Sequence, residues 1–534
     1  MILEGLISAL SRARTFDEAL AHSGRSADFS VGDGLRAPLV AGLLAARPVP
    51  RALLAIVATG RDSESLREAL ASIAPQTTVI EFPAWETLPH ERLSPSAETV
   101  GKRIRALRTL QRWQQDAADD PASVSDVVVV ASVRAALQPL AGNLTSLEPV
   151  RLVAGGRGYN LTGLAAQLVD LAYSRVDMVT RRGEFAVRGG ILDVFAPTDE
   201  HPVRVEFFGD EIEQIRQFAV SDQRSAPEKL AEVELLASRE LLLGPEVRQR
   251  AREMEHEFPS LAGMLVKIAE GIPVDGMESL APALLGRLVP LTHYLPIDSA
   301  VAVFSPERVA SRAVSLAETN REFLSAAWHA ATAGAEAPID LDAGGFLSMT
   351  QLREAAGDRP WWTFSSFDSG AVEGSESAAT ETDDHYVRVE ASSVPSFAGQ
   401  VEGALEHVGQ LLADSWSVVV VAQGVGLVER AADVLSERGC AARVVEDLPA
   451  GLDAGVAYLL KASVEHGFEV PELKLAVLSE SEFYGRAAGY DARQVKKLAS
   501  RRKNVVDPLQ LKPGDHVVHQ THGVGRFVEL VQRE

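Results

Sequence analysis

The sequence predicts an α/β protein built on a doubly wound parallel sheet, into which a β-rich domain is inserted, followed by a second, smaller α/β domain and a truncated small β-barrel. Three observations carry this reading. Short apolar runs rich in β-branched residues, Ala52–Ala58 and Val127–Ala131, flank stretches of helical spacing over Ser63–Ile73 and Ala97–Trp113, the pattern of strands buried on both faces with helices between them. Later the period changes to two: Phe185 and Val187, then Val203, Val205 and Phe207, alternate with Glu184, Ala186, Arg188, Arg204, Glu206 and Phe208, as in half-exposed antiparallel strands. Finally, Ser417–Ala422, Tyr458–Leu460 and Lys474–Ser479 supply three more strand candidates with helices between them.

At 534 residues the chain is too long for one core and divides, on the usual domain size, into roughly three to five domains. Residues 1–150 carry the first strands and helices of the parallel sheet, and residues 151–235 are the insertion. Residues 236–368 return to helical periodicity, and the apolar run Ala300–Phe304 resumes the first sheet. Residues 369–385 are an acidic linker, because Ser369–Asp384 holds too little apolar surface to offset the entropy of ordering. The second α/β unit occupies 386–488. Residues 489–510 form a basic linker whose run Lys496–Lys503 reads as a solvated helix end before it reads as a nucleic-acid contact. From Leu511 to Glu534 the Gly and Pro punctuation with short apolar alternation predicts the first strands of a small barrel.

Composition narrows the class. Hydrophobic residues make up 46% and charged residues 24%, a globular balance. The lone Cys440 cannot close an intramolecular disulfide and no secretory signal is recognisable, so a cytoplasmic location is expected. The longest apolar runs are far short of the roughly 20 residues that span a bilayer, and no membrane partner is expected. A net charge of −22 repels polyanions and favours a protein-binding scaffold over a protein that coats nucleic acid.

Catalytic motifs are missing where they would be expected. A phosphate-binding loop needs G-x-x-x-x-G-K-[ST], in which backbone amides cradle phosphates while Lys and the hydroxyl hold the terminal phosphate and magnesium. The segment nearest in position, Val31–Pro38, lacks both and places Asp33 where phosphate would be repelled; Gly424-Val425-Gly426 reads as a turn. His516, His519 and His522 lie close in sequence but lack the Cys or acidic neighbours of a familiar zinc spacing. The most informative stretch is Tyr173–Ile215, where pleating puts Arg204, Glu206 and Phe208 together on the solvent face of one strand. Arg and aromatic residues are enriched in binding hot spots, yet the pattern alone leaves a recognition patch and a solvated face with one stray aromatic equally open.

That stretch, with YSRVDMVTRRGEFAVRGGILDVF and VRVEFFGDEIEQI, resembles the UvrA-binding domain shared by UvrB and the transcription-repair coupling factors. Three more segments resemble the coupling factors in particular: Phe82–Pro89 (FPAWETLP), Glu465–Phe468 (EHGF) followed by Leu478–Glu482, and Gly514–Phe527. The resemblance implies UvrA as partner, with Arg188, Arg204 and Phe208 as contact residues and Glu206 and Arg175 matching the related UvrB pattern. Ala186 departs from it, standing where UvrB-like sequences can carry a further arginine. It also implies a degenerate helicase-like first domain without catalytic activity or cofactor, a third α/β domain, and the start of the RNA-polymerase-interacting domain. The double-stranded DNA translocase, with its ATP and magnesium, and most of the polymerase-binding barrel would lie beyond Glu534. Restraint of that motor is a compatible second role, and the rival reading is a UvrB-related ATP-dependent DNA-unwinding enzyme.

Overall fold

The computed structural model describes residues 2–49, 51–89, 91–146, 148–332, 345–367, 386–397, 400–484, 516–519 and 523–526. The acidic stretch Ser369–Asp384, the basic run Lys496–Lys503 and His522 lie outside them.

Seven strands form the first sheet, in the order Tyr386–Arg388, Ala27–Ser30, Trp361–Ser365, Ala300–Phe304, Ala52–Val57, Val127–Ser132, Thr78–Phe82, and every neighbouring pair is parallel. The run of six buried residues in Ala52–Val57 now has its cause: Leu53, Ala55 and Val57 enter the apolar cluster on one face, and Leu54 and Ile56 the cluster on the other. Helices Asp33–Ala45 and Gly60–Ile73 cover the first face and Ala97–Asp119 the second. Thr59 starts Gly60–Ile73 with a reciprocal cap, its hydroxyl accepting from the Asp62 amide while the Asp62 carboxylate accepts from the Thr59 amide. Tyr386–Arg388 is an edge strand of this sheet, so the sheet of the second α/β unit begins only at Ser392.

The chain leaves the first domain along Val150–Val153 and returns along Glu232–Leu235, and these segments pair with each other in an antiparallel ribbon. Between them lies a six-stranded sheet, antiparallel except where Ser174–Arg175 runs parallel to Glu184–Arg188. Its inner face, with Phe185, Leu192, Val194, Val203, Val205, Ile212 and Ile215, packs on Leu164 and Leu168 of helix Leu161–Asp170 and on Val100 and Ile104 of the first domain. After the ribbon, residues from Leu241 to Leu284 build a small helical cluster of their own before the chain rejoins the first sheet at Ala300.

The FPAWETLP segment follows strand Thr78–Phe82 and builds the seat of the insertion. Arg103 is fully buried, its Nε donating at 2.5 Å to Glu240 Oε1 and its Nη1 at 2.8 Å to the Pro83 carbonyl. The guanidinium lies 4.4 Å from the Phe82 ring centroid and 5.6 Å from that of Trp85, whose indole N–H also donates to Glu240 at 3.0 Å.

The second α/β unit is a six-stranded sheet in the order Ser392–Ser393, Phe468–Val470, Leu475–Leu478, Ser417–Ala422, Val456–Lys461, Ala441–Val444. It shares a core with the first domain: Val419, Val421, Tyr458 and Leu460 belong to the same apolar cluster as Leu6, Leu35 and Leu66. Backbone bonds cross the junction, Leu448 donating to Ile2 at 2.7 Å and Ser463 to the Ser72 hydroxyl at 2.9 Å. At the carboxyl end, His516–His519 and Gly523–Arg526 pair as an antiparallel hairpin. Among the described residues no helix is long and apolar enough to cross a membrane.

The Arg103–Glu240 pair yields a stability prediction. Removing one partner of a buried ion pair strands the other charge, so Glu240→Ala should cost about 3 to 5 kcal/mol of folding free energy in urea titration. Trp85→Phe, which keeps the packing and loses one hydrogen bond to a charged group, should cost only about 1.5 to 3 kcal/mol. Equal stability of Glu240→Ala and the parent chain would contradict the assignment.

Candidate functional site

Strand Val203–Phe208 sits inside the inserted sheet, between Ile191–Val194 and Glu211–Phe218. Its alternation sends Val203, Val205 and Phe207 inward, where Phe207 meets Tyr159 edge-on at 6.4 Å between ring centroids. A bulge sits opposite its end: Glu206 pairs with Gln214 and Phe207 with Ile212, leaving Glu213 as the extra residue. The extra residue lets Ile212 and Ile215, three apart, both face the core. Phe208 points the other way and is 80% exposed.

Two tight hairpins meet at this end of the sheet. Gly189-Gly190 joins Arg188 to Ile191, and Gly209-Asp210 joins Phe208 to Glu211, with Gly189 and Gly209 at φ of 59° and 65°. The two tips are tied together, since the Phe207 amide donates to the Gly190 carbonyl at 2.8 Å. A Cβ on Gly190 would lie 2.9 Å from the Phe207 carbonyl oxygen, so that turn admits only glycine without a shift. Cross-strand pairing then puts Arg188, Ile191, Glu206 and Gln214 in one row on the outer face, beside Phe208. Gln214 Nε2 donates to Glu206 at 2.8 Å, and the exposed Arg188 donates to the Asp177 carbonyl.

The next row is Ala186, Asp193, Arg204 and Arg216, and its character differs. Arg204 grips Asp193 with two hydrogen bonds of 2.7 and 2.8 Å, donates to the Gln223 carbonyl at 3.2 Å, and lies 5.0 Å from the Phe218 ring centroid. The hydrogen bonds to Asp193 raise the guanidinium's pKa further above its ordinary value. Side-chain exposure is 19% for Arg204 and 6% for Asp193. The expectation of a fully solvent-facing Arg204 is therefore corrected. The cause is a second, smaller core on the outer face, formed by Val179, Ala186, Phe195 and Phe218 with Val176 against it. Ala186 is buried within it, so an arginine at this position would have to displace its neighbours in that cluster.

Of the five residues singled out in the sequence, Arg188, Glu206 and Phe208 share one uncovered corner, and Arg204 stands at its buried margin. Arg175 is separate: it pairs with the inward-facing Phe185 on the edge strand and is exposed there. Sequence reasoning missed Asp193 and Gln223. The first had a signal, an acidic residue inside the otherwise apolar Ile191–Val194; Gln223 holds a left-handed backbone at φ 58° that no local pattern announces.

Two family models match the chain: the UvrB interaction domain over residues 152–241, a span ending beside Glu240, and the CarD-like/TRCF RID domain over residues 511–534. Over 99% of its length the chain is 40% identical to the transcription-repair-coupling factor of Mycobacterium bovis. It is 30% identical to that of Myxococcus xanthus over 85% of its length, and 25% identical to that of Bacillus subtilis over 93%. It spans 43%, 38% and 42% of these relatives' own lengths, respectively. With a UvrB interaction domain, a match to the RID domain and coupling-factor similarity along nearly its whole length, the chain belongs to the transcription-repair-coupling factors and fits their amino-terminal portion.

Proposed function

We propose that this chain is a UvrA-recruiting scaffold that brings nucleotide-excision repair to stalled transcription, and that the corner formed by Arg188, Glu206 and Phe208 is its UvrA contact. One observation carries the reading: a phenylalanine 80% exposed, beside an exposed arginine, on a domain of the UvrB-interaction family. Leaving so large an apolar side chain in water forgoes about 1.5 to 3 kcal/mol, which binding would recover. Arg188 pairs with a carboxylate on UvrA and Phe208 fills a pocket, while Arg204 acts chiefly by holding Asp193 and the strand. Arg175, on the other face, is a weaker candidate. In the whole coupling factor the same corner is available to restrain the motor, so UvrA binding and that resting contact would exclude each other.

On this reading the first domain is a degenerate helicase-like sheet with no enzymatic activity and no cofactor, working in the cytoplasm. Support comes from the segment after strand Ala27–Ser30: the position of a phosphate loop holds Asp33, whose carboxylate is engaged with Arg36 at 2.8 Å. The hairpin of His516–His519 and Gly523–Arg526 belongs to a small barrel that contacts RNA polymerase. Duplex DNA, ATP and magnesium belong to the motor of the full-length relatives.

The contact is tested by four alanine variants assayed for affinity to purified UvrA and for thermal unfolding. Phe208→Ala and Arg188→Ala should each cost about 2 kcal/mol of UvrA binding while changing stability by no more than about 0.5 kcal/mol. Arg204→Ala strands the buried Asp193 and should lower stability by about 3 kcal/mol. Phe207→Ala, half-buried, should cost about 2 kcal/mol of folding, less than a full core truncation. Unchanged UvrA affinity in both Phe208→Ala and Arg188→Ala would overturn the site. A separate titration with magnesium-ATP should show no binding heat, and micromolar binding with turnover would favour the unwinding enzyme instead.

A further inference from the structure

In open parallel sheets, ligands are taken at the crevice beyond the carboxyl ends of the strands. Here Ala27–Ser30, Trp361–Ser365, Ala300–Phe304 and Ala52–Val57 end together there. The crevice is already furnished from within. Arg36, buried in helix Asp33–Ala45, donates through Nη1 to the Ser305 hydroxyl and through Nη2 to that of Ser366, both at 2.7 Å. Ser305 itself takes a left-handed backbone, φ 52°, at the end of its strand.

The second α/β unit closes the crevice with the loop Glu465-His466-Gly467 that precedes strand Phe468–Val470. Glu465 and His466 line a cavity of about 70 Å3 together with Asp33, Arg36, Asp62, Ser305 and Arg308. The approach is tight on both sides. A Cβ on Gly34 would fall 2.5 Å from the His466 carbonyl oxygen, and one on Gly467 would fall 2.7 Å from that of Val477.

We propose that this loop is a built-in stopper of the crevice that latches the second α/β unit onto the first domain, and that ionisation of Glu465 loosens the latch. The charges around it explain why. Asp33 is paired with Arg36 at 2.8 Å and Asp62 with Arg308 at 3.2 Å, so both nearby guanidinium groups already have a carboxylate. His466, on the loop itself, faces Glu482 at 4.0 Å. Glu465 is a third carboxyl added to two satisfied pairs, and its charge has no counterion of its own. Burial, reinforced by Asp33 and Asp62 and opposed by Arg36, pushes its pKa up to about 7 from an ordinary value of 4.5. A carboxyl raised in the seated state binds its proton there more tightly than in the released loop. The latch is therefore strongest below the ordinary value and weakens as pH rises through about 7.

Hydrogen–deuterium exchange of the whole chain, corrected for the intrinsic pH effect, tests this on peptides spanning 33–38 and 463–468. In the parent chain, protection of both should fall at least about tenfold between about pH 5.5 and about pH 8. Glu465→Gln should remove that fall and match or exceed the parent at the higher pH. Gly34→Ala, which crowds the loop without touching charge, should lower protection of 463–468 at both values. An equal pH-dependent fall in the parent and Glu465→Gln would overturn the role of Glu465, and full protection in Gly34→Ala would overturn the stopper.

Discussion

The seating of the inserted domain rests on the Arg103–Glu240 pair. Helix Ala97–Asp119 serves two cores at once: Leu107 and Leu110 pack under the first sheet, while Val100 and Ile104 enter the insertion. Arg103 lies between these sets, and its partner Glu240 sits just beyond the returning ribbon. Trp85 and Phe82 wall the guanidinium, so a charge that would be costly to bury alone is neutralised, hydrogen-bonded and stacked. Close backbone approach reinforces the seat, since a Cβ on Gly101 would lie 2.4 Å from the Pro197 side chain. The exposed corner is thus carried on a domain held at its base, and binding it needs little ordering of the scaffold beneath.

Within the insertion, buried and exposed apolar side chains are divided by the pleat. Phe207 and Phe208 are neighbours in sequence with opposite environments, one against Tyr159 and one in solvent. The bulge at Glu213 keeps the core filled while the strand reaches its turn, and the two glycine hairpins bring Arg188 and Phe208 to the same end. The small core of Val179, Ala186, Phe195 and Phe218 covers the other half of this face. It turns Arg204 from a free surface cation into a clamp on Asp193.

What could be read from the sequence follows from the range of the physics involved. Strands Ala52–Val57, Val127–Ser132 and Val203–Phe208 were legible because burial on one or both faces imprints a local period. Glu206 and Phe208 share a face by that same period, whereas Arg188 entered only through the family resemblance and reaches their end of the sheet through the pairing of Arg188 with Ile191 and of Ile191 with Glu206. The Arg204–Asp193 pair was not legible, because it depends on the register between Val203–Phe208 and Ile191–Val194, and its burial on the outer-face cluster, both set by tertiary packing. The place of Tyr386–Arg388 in the first sheet was equally hidden, since a strand of three residues carries no sign of which edge it joins. The EHGF segment was visible as a motif only; its physical content, a loop pressed between Gly34 and Val477, belongs to the packed pair of domains.

A deuterium-exchange footprint of the chain with and without UvrA tests most directly whether UvrA engages the outer corner of the inserted sheet. New protection confined to peptides covering 186–191 and 204–211, with 417–422 and 456–461 unchanged, is the result the account predicts. Binding of UvrA with protection elsewhere and none at that corner would contradict it.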